Sequence, residues 1–313
     1  MSALLFPGQG SQTVGMGTEI FNQFDLVKKL FKEADEKLNY PISKLILEGP
    51  EAELKLTENT QPAILIVSYS FFRVLKDEFG FNFESFKFFA GHSLGEYSAL
   101  VCAEALNYSD ALYLLNERGK AMQAAVPIGQ GNMIAVLGLK IKEVEVFIKD
   151  INKKNGTCEI ANDNADGQVI ISGDTKSIKL LQILLKEKKI KSIPLNVSAP
   201  FHCSLMKPAA LSMQEKINNI KFSNPLFKII NNVTANAEDN SNLIKKLLID
   251  QISSTVRWRE SLINMSNAGT KNFVEIGPGK ALTGMVRRTI KDANCFSINS
   301  IADIKNIINE FKK

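Results

Sequence analysis

The sequence predicts an α/β fold, and three observations carry that expectation. An apolar strand at 86–90 runs through a glycine turn straight into an apolar helix. Another at 2–6 ends in a second glycine loop. Between about 130 and 198 the order becomes β-α-β-β-α-β, a ferredoxin-like pattern. At 313 residues, with 45% apolar and 23% charged side chains, the chain is long enough to bury a full core.

Taken in order, 2–6 reads as a buried strand. Residues 19–38 carry Ile20, Phe21, Phe24, Val27, Leu30, Phe31 and Ala34 at helical spacing, which predicts one helix. Residues 60–79 predict a second, with Pro62 in its first turn. After the strand at 86–90, helices are predicted at 93–105 and 109–125, the latter stopped by Pro127 and Gly129. The middle segment gives a strand at 132–139, a helix at 142–154, strands at 157–161 and 168–172 around a polar turn 162–167, a helix at 175–189 and a strand at 191–197. Helices at 205–218, 242–251, 259–268 and 281–290 follow, with strands at 228–231 and 272–275. The expected organisation is a large α/β domain, 1–129 and 199–313, with a small ferredoxin-like domain, 130–198, inserted in it.

Composition removes several function classes. No stretch approaches 18 uncharged apolar residues, so no membrane span is expected. The N-terminal Met-Ser-Ala-Leu-Leu-Phe has no basic segment and is not expected to be a signal peptide. Cys102, Cys158, Cys203 and Cys295 are dispersed without a C-x-x-C pair, which argues against zinc and disulfides and fits a cytoplasmic protein. The net charge of +5 is mild, and no basic block is interleaved with aromatics, so no nucleic acid is expected. An acidic partner or a phosphorylated substrate suits it.

The most informative stretch is Gly91-His92-Ser93-Leu94-Gly95. Its strand-before, helix-after context is the one in which G-x-S-x-G acts as a nucleophile elbow. A tight turn projects the serine hydroxyl clear of the sheet, and the following helix offers N–H groups to a developing oxyanion. A serine needs a base, and the chain has two histidines. His92 adjoins Ser93, so its side chain diverges at the turn. His202 is left, in the loop after Pro200. Its neighbour Cys203 has nothing beside it to make a thiolate. The loop Pro7-Gly8-Gln9-Gly10 lacks a P-loop lysine and a third dinucleotide glycine. It suits a donor of a second oxyanion N–H.

Phe6-Pro7-Gly8-Gln9-Gly10-Ser11-Gln12, Gly91-His92-Ser93-Leu94-Gly95-Glu96-Tyr97, the His202 loop and Val274-Glu275-Ile276-Gly277-Pro278-Gly279-Lys280 together resemble the malonyl-CoA:acyl-carrier-protein transacylases, the stand-alone acyltransferases of type II fatty acid synthesis. The likeness runs from about 3 to 290. It implies an α/β-hydrolase-like large domain and transfer of malonyl from malonyl-CoA to the phosphopantetheine thiol of acyl carrier protein. Ser93 would carry the malonyl ester, and His202 would be the base. The N–H groups of Gln9 and Leu94 would form the oxyanion hole. Arg118 would pair with the malonyl carboxylate, the Gln251 carbonyl would hold the histidine ring, and Asn162 would line the cleft. No cofactor or metal is expected, and the enzyme is expected to work as a monomer. The carrier is expected to be acidic, with Lys186, Lys188, Lys189, Lys191, Arg287 and Arg288 as candidate contacts. The loop 253–258 lacks the proline usual in the family, which loosens the expected setting of Gln251. Two alternatives stand beside this one: a serine hydrolase, and an acyltransferase for a different acyl group.

Overall fold

Residues 2–6 are buried along their whole length. Leu4 and Phe6 point into one apolar cluster, and Ala3 and Leu5 into another on the opposite face. A strand that loses both faces to the core has no polar side, which is why its sequence is a continuous apolar run. It is the centre of a six-stranded sheet.

The computed structural model describes residues 1–311 except 154, 155 and 198. The described strands are β1 (Ser2–Phe6), β2 (Phe86–Gly91), β3 (Gly131–Leu137), β4 (Cys158–Ala165), β5 (Gln168–Asp174), β6 (Ser192–Pro194), β7 (Lys228–Ile230), β8 (Ala237–Glu238), β9 (Asn272–Ile276) and β10 (Asn294–Ile298). The large sheet has the order β10-β9-β1-β2-β7-β8. Its first five strands pair in parallel, and β8 closes the edge antiparallel to β7. The second sheet, β4-β5-β3-β6, is antiparallel throughout. The molecule is thus a mixed α/β protein with a parallel-rich sheet and a second, antiparallel one.

Several expectations are corrected. The single helix at 19–38 is two, Thr18–Gln23 and Asp25–Leu38, parted by an extended Phe24. Its apolar spacing continues across the break, so periodicity alone did not reveal it. The polar turn predicted at 162–167 shrinks to 166–167: β4 runs through Ala165, with register shifts at 160–162 and 163–165. The predicted strand at 191–197 shrinks to Ser192–Pro194. The helix Ala281–Thr289 is not the last, since β10 and the helix Ile301–Phe311 follow. The short helices Ile42–Glu48 and Glu51–Leu54 were unforeseen. The predicted end of the 142–154 helix and the small-domain boundary at 198 lie outside the described residues.

Parallel pairing sets the ends of the strands level. Phe6 of β1 is opposite Gly91 of β2, so the loops that follow both strands emerge side by side. A methyl group on Gly8 would lie 2.7 Å from the His92 carbonyl oxygen, so the first glycine loop rests directly on the elbow. At the end of β9, the buried Glu275 accepts hydrogen bonds from the N–H groups of Leu282 (3.1 Å) and Thr283 (2.8 Å). It thereby caps the helix Ala281–Thr289, whose first residues reach the same region.

One helix pair fixes Arg118. The helix holding Pro62 begins at Thr57, so Pro62 sits in its interior rather than its first turn. Proline has no N–H, which leaves the Glu58 carbonyl without its helical donor. Asn116 Nδ2 supplies one at 3.1 Å from the neighbouring helix Tyr108–Ala124. Gly119 lets the two backbones meet there: an added Cβ would lie 2.4 Å from Glu58 Cα. Gly119→Ala is expected to force the helices apart and cost about 1–3 kcal/mol. Thermal denaturation measures the loss, and a melting temperature equal to wild type would contradict this packing.

Candidate active site

Space alone dictates the elbow glycines. A Cβ on Gly91 would lie 1.9 Å from the Gly95 carbonyl carbon, and one on Gly95 would lie 2.3 Å from the Phe6 carbonyl oxygen. Between them Ser93 adopts φ 54°, the left-handed region that a serine occupies only under constraint. The constraint is visible. Asn232, just past β7, accepts from the Ser93 N–H (2.7 Å) and donates to the Gly91 carbonyl (2.7 Å). Gln251 Nε2 donates to the Ser93 carbonyl at 3.1 Å. The helix itself starts at Gly95, two residues later than the sequence suggested.

Ser93 Oγ lies 2.7 Å from His202 Nε2. The other ring nitrogen, Nδ1, donates to the Gln251 carbonyl at 2.9 Å. That bond fixes the tautomer: Nδ1 carries the proton and Nε2 is free to take one from the serine. His202 is buried and, like Ser93, has a left-handed φ, 58°. His92 turns away, as expected, with Nε2 2.8 Å from Asn164 Oδ1 and its ring 5.5 Å from that of Trp258. Cys203 donates its thiol proton to the Pro200 carbonyl, and burial pushes it up to about 12, far from thiolate chemistry.

Arg118 is only 1% exposed. Its Nη2 lies 3.2 Å from Ser93 Oγ and 2.9 Å from Gln251 Oε1, and its Nη1 lies 2.8 Å from Gln61 Oε1. The guanidinium therefore rests on two neutral amides and a hydroxyl, and its Nε has no hydrogen-bond partner among the described residues. A cleft of about 240 Å³ opens over this group, lined by Gln9, Asn162, Met133, Leu195, Phe201 and Met285 among others. Asn162 reaches it from strand β4, not from a hairpin turn. Among the described residues, no hydrogen bond engages the Gln9 or Leu94 N–H.

Sequence reasoning missed Gln61, Glu96, Asn164, Asn231 and Asn232. The loop after Gln251 is not loose despite its missing proline. The Val256 N–H donates to the Ala161 carbonyl (2.9 Å), Thr255 Oγ1 to the Ile160 carbonyl (2.6 Å), and the Arg257 N–H to the Asn232 carbonyl (2.9 Å). The ion pair of Arg259 with the buried Asp163 (3.0 Å) ties the same strand down.

The family model described as acyl transferase domain matches residues 3–309. The chain is 41% identical over 312 residues to the malonyl CoA-acyl carrier protein transacylase of Bacillus subtilis, covering 99% of this chain and 97% of that one. Its identity to the protein of the same name from Haemophilus influenzae is 40%, with 99% and 98% covered. The crystal structure of an acyl-carrier-protein-S-malonyltransferase from Bartonella henselae superposes with a TM-score of 0.96 at 40% identity, over 100% of this chain and 99% of that one. A malonyl-transacylase solved in complex with a type II polyketide synthase acyl carrier protein gives 0.94 at 36% identity, with 99% of both chains covered.

The chain belongs to the acyl transferase domain family.

In this acyltransferase the electrostatics of the cleft follow from burial. Loss of water, with the Arg118 charge as the next cause, lowers His202 from 6.5 to about 3. Burial likewise raises Glu96, beneath the elbow, to about 7. A base held low stays neutral in the folded protein while the unfolded chain takes up a proton. Stability due to His202 is thus present above about pH 6.5 and lost as pH falls from there towards 3. Arg118→Ala removes one lowering cause. The His202 imidazole is expected to titrate at higher pH in that variant, and the window of acid destabilisation to narrow. An NMR titration of the chain's two imidazoles checks this, and an unmoved His202 would contradict it.

Proposed function

We propose that this chain transfers malonyl from malonyl-CoA to the phosphopantetheine thiol of acyl carrier protein, through an ester on Ser93. The observation that carries the reading is the buried Arg118, one nitrogen 3.2 Å from Ser93 Oγ and no acidic side chain hydrogen-bonded to it among the described residues. A planar guanidinium in that place suits an acyl group ending in a carboxylate. The names of the relatives support the same substrate, and the complex solved for one of them supports a carrier-protein partner.

Ser93 Oγ attacks the thioester carbonyl as its proton passes to His202 Nε2. The tetrahedral oxyanion is met by the N–H groups of Gln9 and Leu94. Collapse breaks the carbon–sulfur bond, and the CoA thiolate takes the proton from His202. The pantetheine thiol then gives its proton to His202 and attacks the ester carbonyl, and Ser93 leaves with that proton. The Gln251 carbonyl stabilises the imidazolium at Nδ1. Asn162 lines the wall along which the acyl and pantetheine groups lie. No cofactor beyond the carrier's own pantetheine is required.

The same reading divides the chain into an α/β-hydrolase-like large domain, 1–129 and 199–313, and a ferredoxin-like small domain, 130–198. The antiparallel order β4-β5-β3-β6 supports the second term, and the level parallel strands ending in the elbow support the first. We place the protein in the cytoplasm, acting as a monomer. No helix among the described residues is long and apolar enough to cross a membrane. An acidic carrier would meet the cleft mouth near Arg288, which donates to Gln168 Oε1 at 3.3 Å, with Arg287 and Lys186, Lys188, Lys189 and Lys191 adding charge.

Intact-mass measurement tests the core of this. Wild-type protein mixed with malonyl-CoA should carry one malonyl group that persists in water and leaves to a pantetheine thiol. Ser93→Ala should carry none, and an adduct on that variant would remove Ser93 from the role. A hydrolase would instead lose the group to water.

Arg118→Ala should lose malonyl transfer and gain acetyl transfer relative to it. The expected swing is about 2–5 kcal/mol, or roughly 30- to several-thousand-fold in the ratio of kcat/KM values. Arg118→Lys should recover part of it, since an ammonium cannot make two parallel bonds. Equal loss for both acyl groups would make Arg118 merely structural.

A further inference from the structure

We propose that Glu96 is a positioning residue for acyl selection: its buried carboxylate orients the Gln251 amide, and that amide presents the Arg118 guanidinium to the carboxylate of the incoming acyl group. The inference rests on the reading that Arg118 binds the malonyl carboxylate.

Glu96 lies in the first turn of the helix Gly95–Cys102, among side chains that are all buried, and is itself 0% exposed. Three donors converge on it. Asn231 Nδ2 is 2.6 Å from Oε1, and the Asn232 N–H (3.1 Å) and Gln251 Nε2 (2.9 Å) share Oε2. Among the described residues, no basic side chain is bonded to it. Its nearest charge of opposite sign in the network is Arg118, one amide away, and each group's attraction for the other is felt through that distance.

The polarity of the intervening amide is what matters. Gln251 Nε2 faces three acceptors, Glu96 Oε2, the Ser93 carbonyl (3.1 Å) and, more distantly, Asn232 Oδ1 (3.4 Å), so Oε1 is left to face Arg118 Nη2 at 2.9 Å. Exchange of the two ends would set an N–H₂ against the guanidinium and an oxygen against the carboxylate, repulsive at both. The carboxylate, the only charged acceptor among the three, thus weighs most in selecting the orientation that holds Arg118. Gln251 supports the guanidinium from behind with an acceptor that carries no net charge. The positive charge stays unneutralised on the side facing Ser93. An unpaired carboxylate at this depth is costly, and three donors with a relayed cation are what make it tolerable.

Glu96→Gln keeps the shape and removes an acceptor. Its amide then meets three donors with one oxygen, and Gln251 loses the charged member of the acceptors that fix its orientation. Single-turnover acylation of Ser93 by malonyl-CoA and by acetyl-CoA, with KM and kcat taken separately, reads the result. In Glu96→Gln the malonyl-to-acetyl ratio of kcat/KM should fall about 10- to 100-fold, mainly through the KM for malonyl-CoA. In an Arg118→Ala background the same substitution should cause no further fall. Glu96→Asp keeps the charge but draws it back by one methylene, and should move the ratio in the same direction by less. It serves as the readout if Glu96→Gln does not fold. Equal loss for both acyl groups, or a full further fall without Arg118, would make Glu96 a structural support of the elbow and overturn the proposal. A wild-type enzyme indifferent to malonyl would sink the parent reading instead, and this one with it.

Discussion

The rest of the structure is arranged around a buried guanidinium that has no acid bonded to it among the described residues. Taking Arg118 out of water is expensive, and a bonded carboxylate is the usual remedy. Here the remedy is spread over two glutamine side chains, a hydroxyl and the face of Tyr97 at 5.8 Å. Each partner comes from a different element, so the position of the charge constrains several elements together. The helix Thr57–Arg73 must come close enough to bring Gln61 into reach, which is what Gly119, Pro62 and the Asn116 bond to Glu58 achieve. The backbone details of that helix pair thereby become details of the cleft.

Gln251 couples this charge to Ser93. Its carbonyl sets the tautomer of His202, its Oε1 faces Arg118, and its Nε2 holds the Ser93 carbonyl. The segment after it is stitched to β4, and β4 also supplies Asn162 and Asn164. The second sheet is therefore more than a wall. Through Asn164 it holds His92 out of the way, and through residues 160–163 it anchors the segment that follows Gln251. A shift of the small sheet relative to the large one would reach His202 through this connection.

Ser93 and His202 were legible because their chemistry is rare in this chain: one elbow sequence in the right context, and two histidines to choose between. Arg118 and Gln251 were legible only through the family resemblance, because an arginine on a helix and a glutamine at a helix end carry no local signal of convergence. Asn162 was seen, but on the wrong element. A run as polar as Asn162-Asp163-Asn164 looks like a turn until its partners are known, and those partners, Arg259, His92 and Val256, lie far away in the chain. Glu96 had a signal that composition offered and periodicity hid. A carboxylate inside an otherwise apolar helix must either face water or have donors, and the donors, Asn231 and Asn232, sit together at the end of a predicted strand. The helix break at Phe24 and the small strand at β10 left no such mark.

The choice of glutamine rather than glutamate at 61 and 251 can be argued on physical grounds. A glutamate at either position would pair with Arg118 directly, lower the cost of burying it and stabilise the empty protein. It would also fill the place of an incoming carboxylate with one that never leaves. Neutral amides satisfy the hydrogen-bonding geometry and leave the charge unspent, so the remaining electrostatic gain is realised only when an anionic ligand arrives. Loss of water is the main cause that keeps His202 a weak base in the empty cleft, and the same charge adds to it, so a ligand that neutralises Arg118 removes the smaller of the two causes at the atom bonded to Ser93. Recognition of an anionic acyl group and a partial rise in the basicity of His202 then follow from one neutralisation. An uncharged acyl group, which leaves Arg118 unpaired, forfeits both at once.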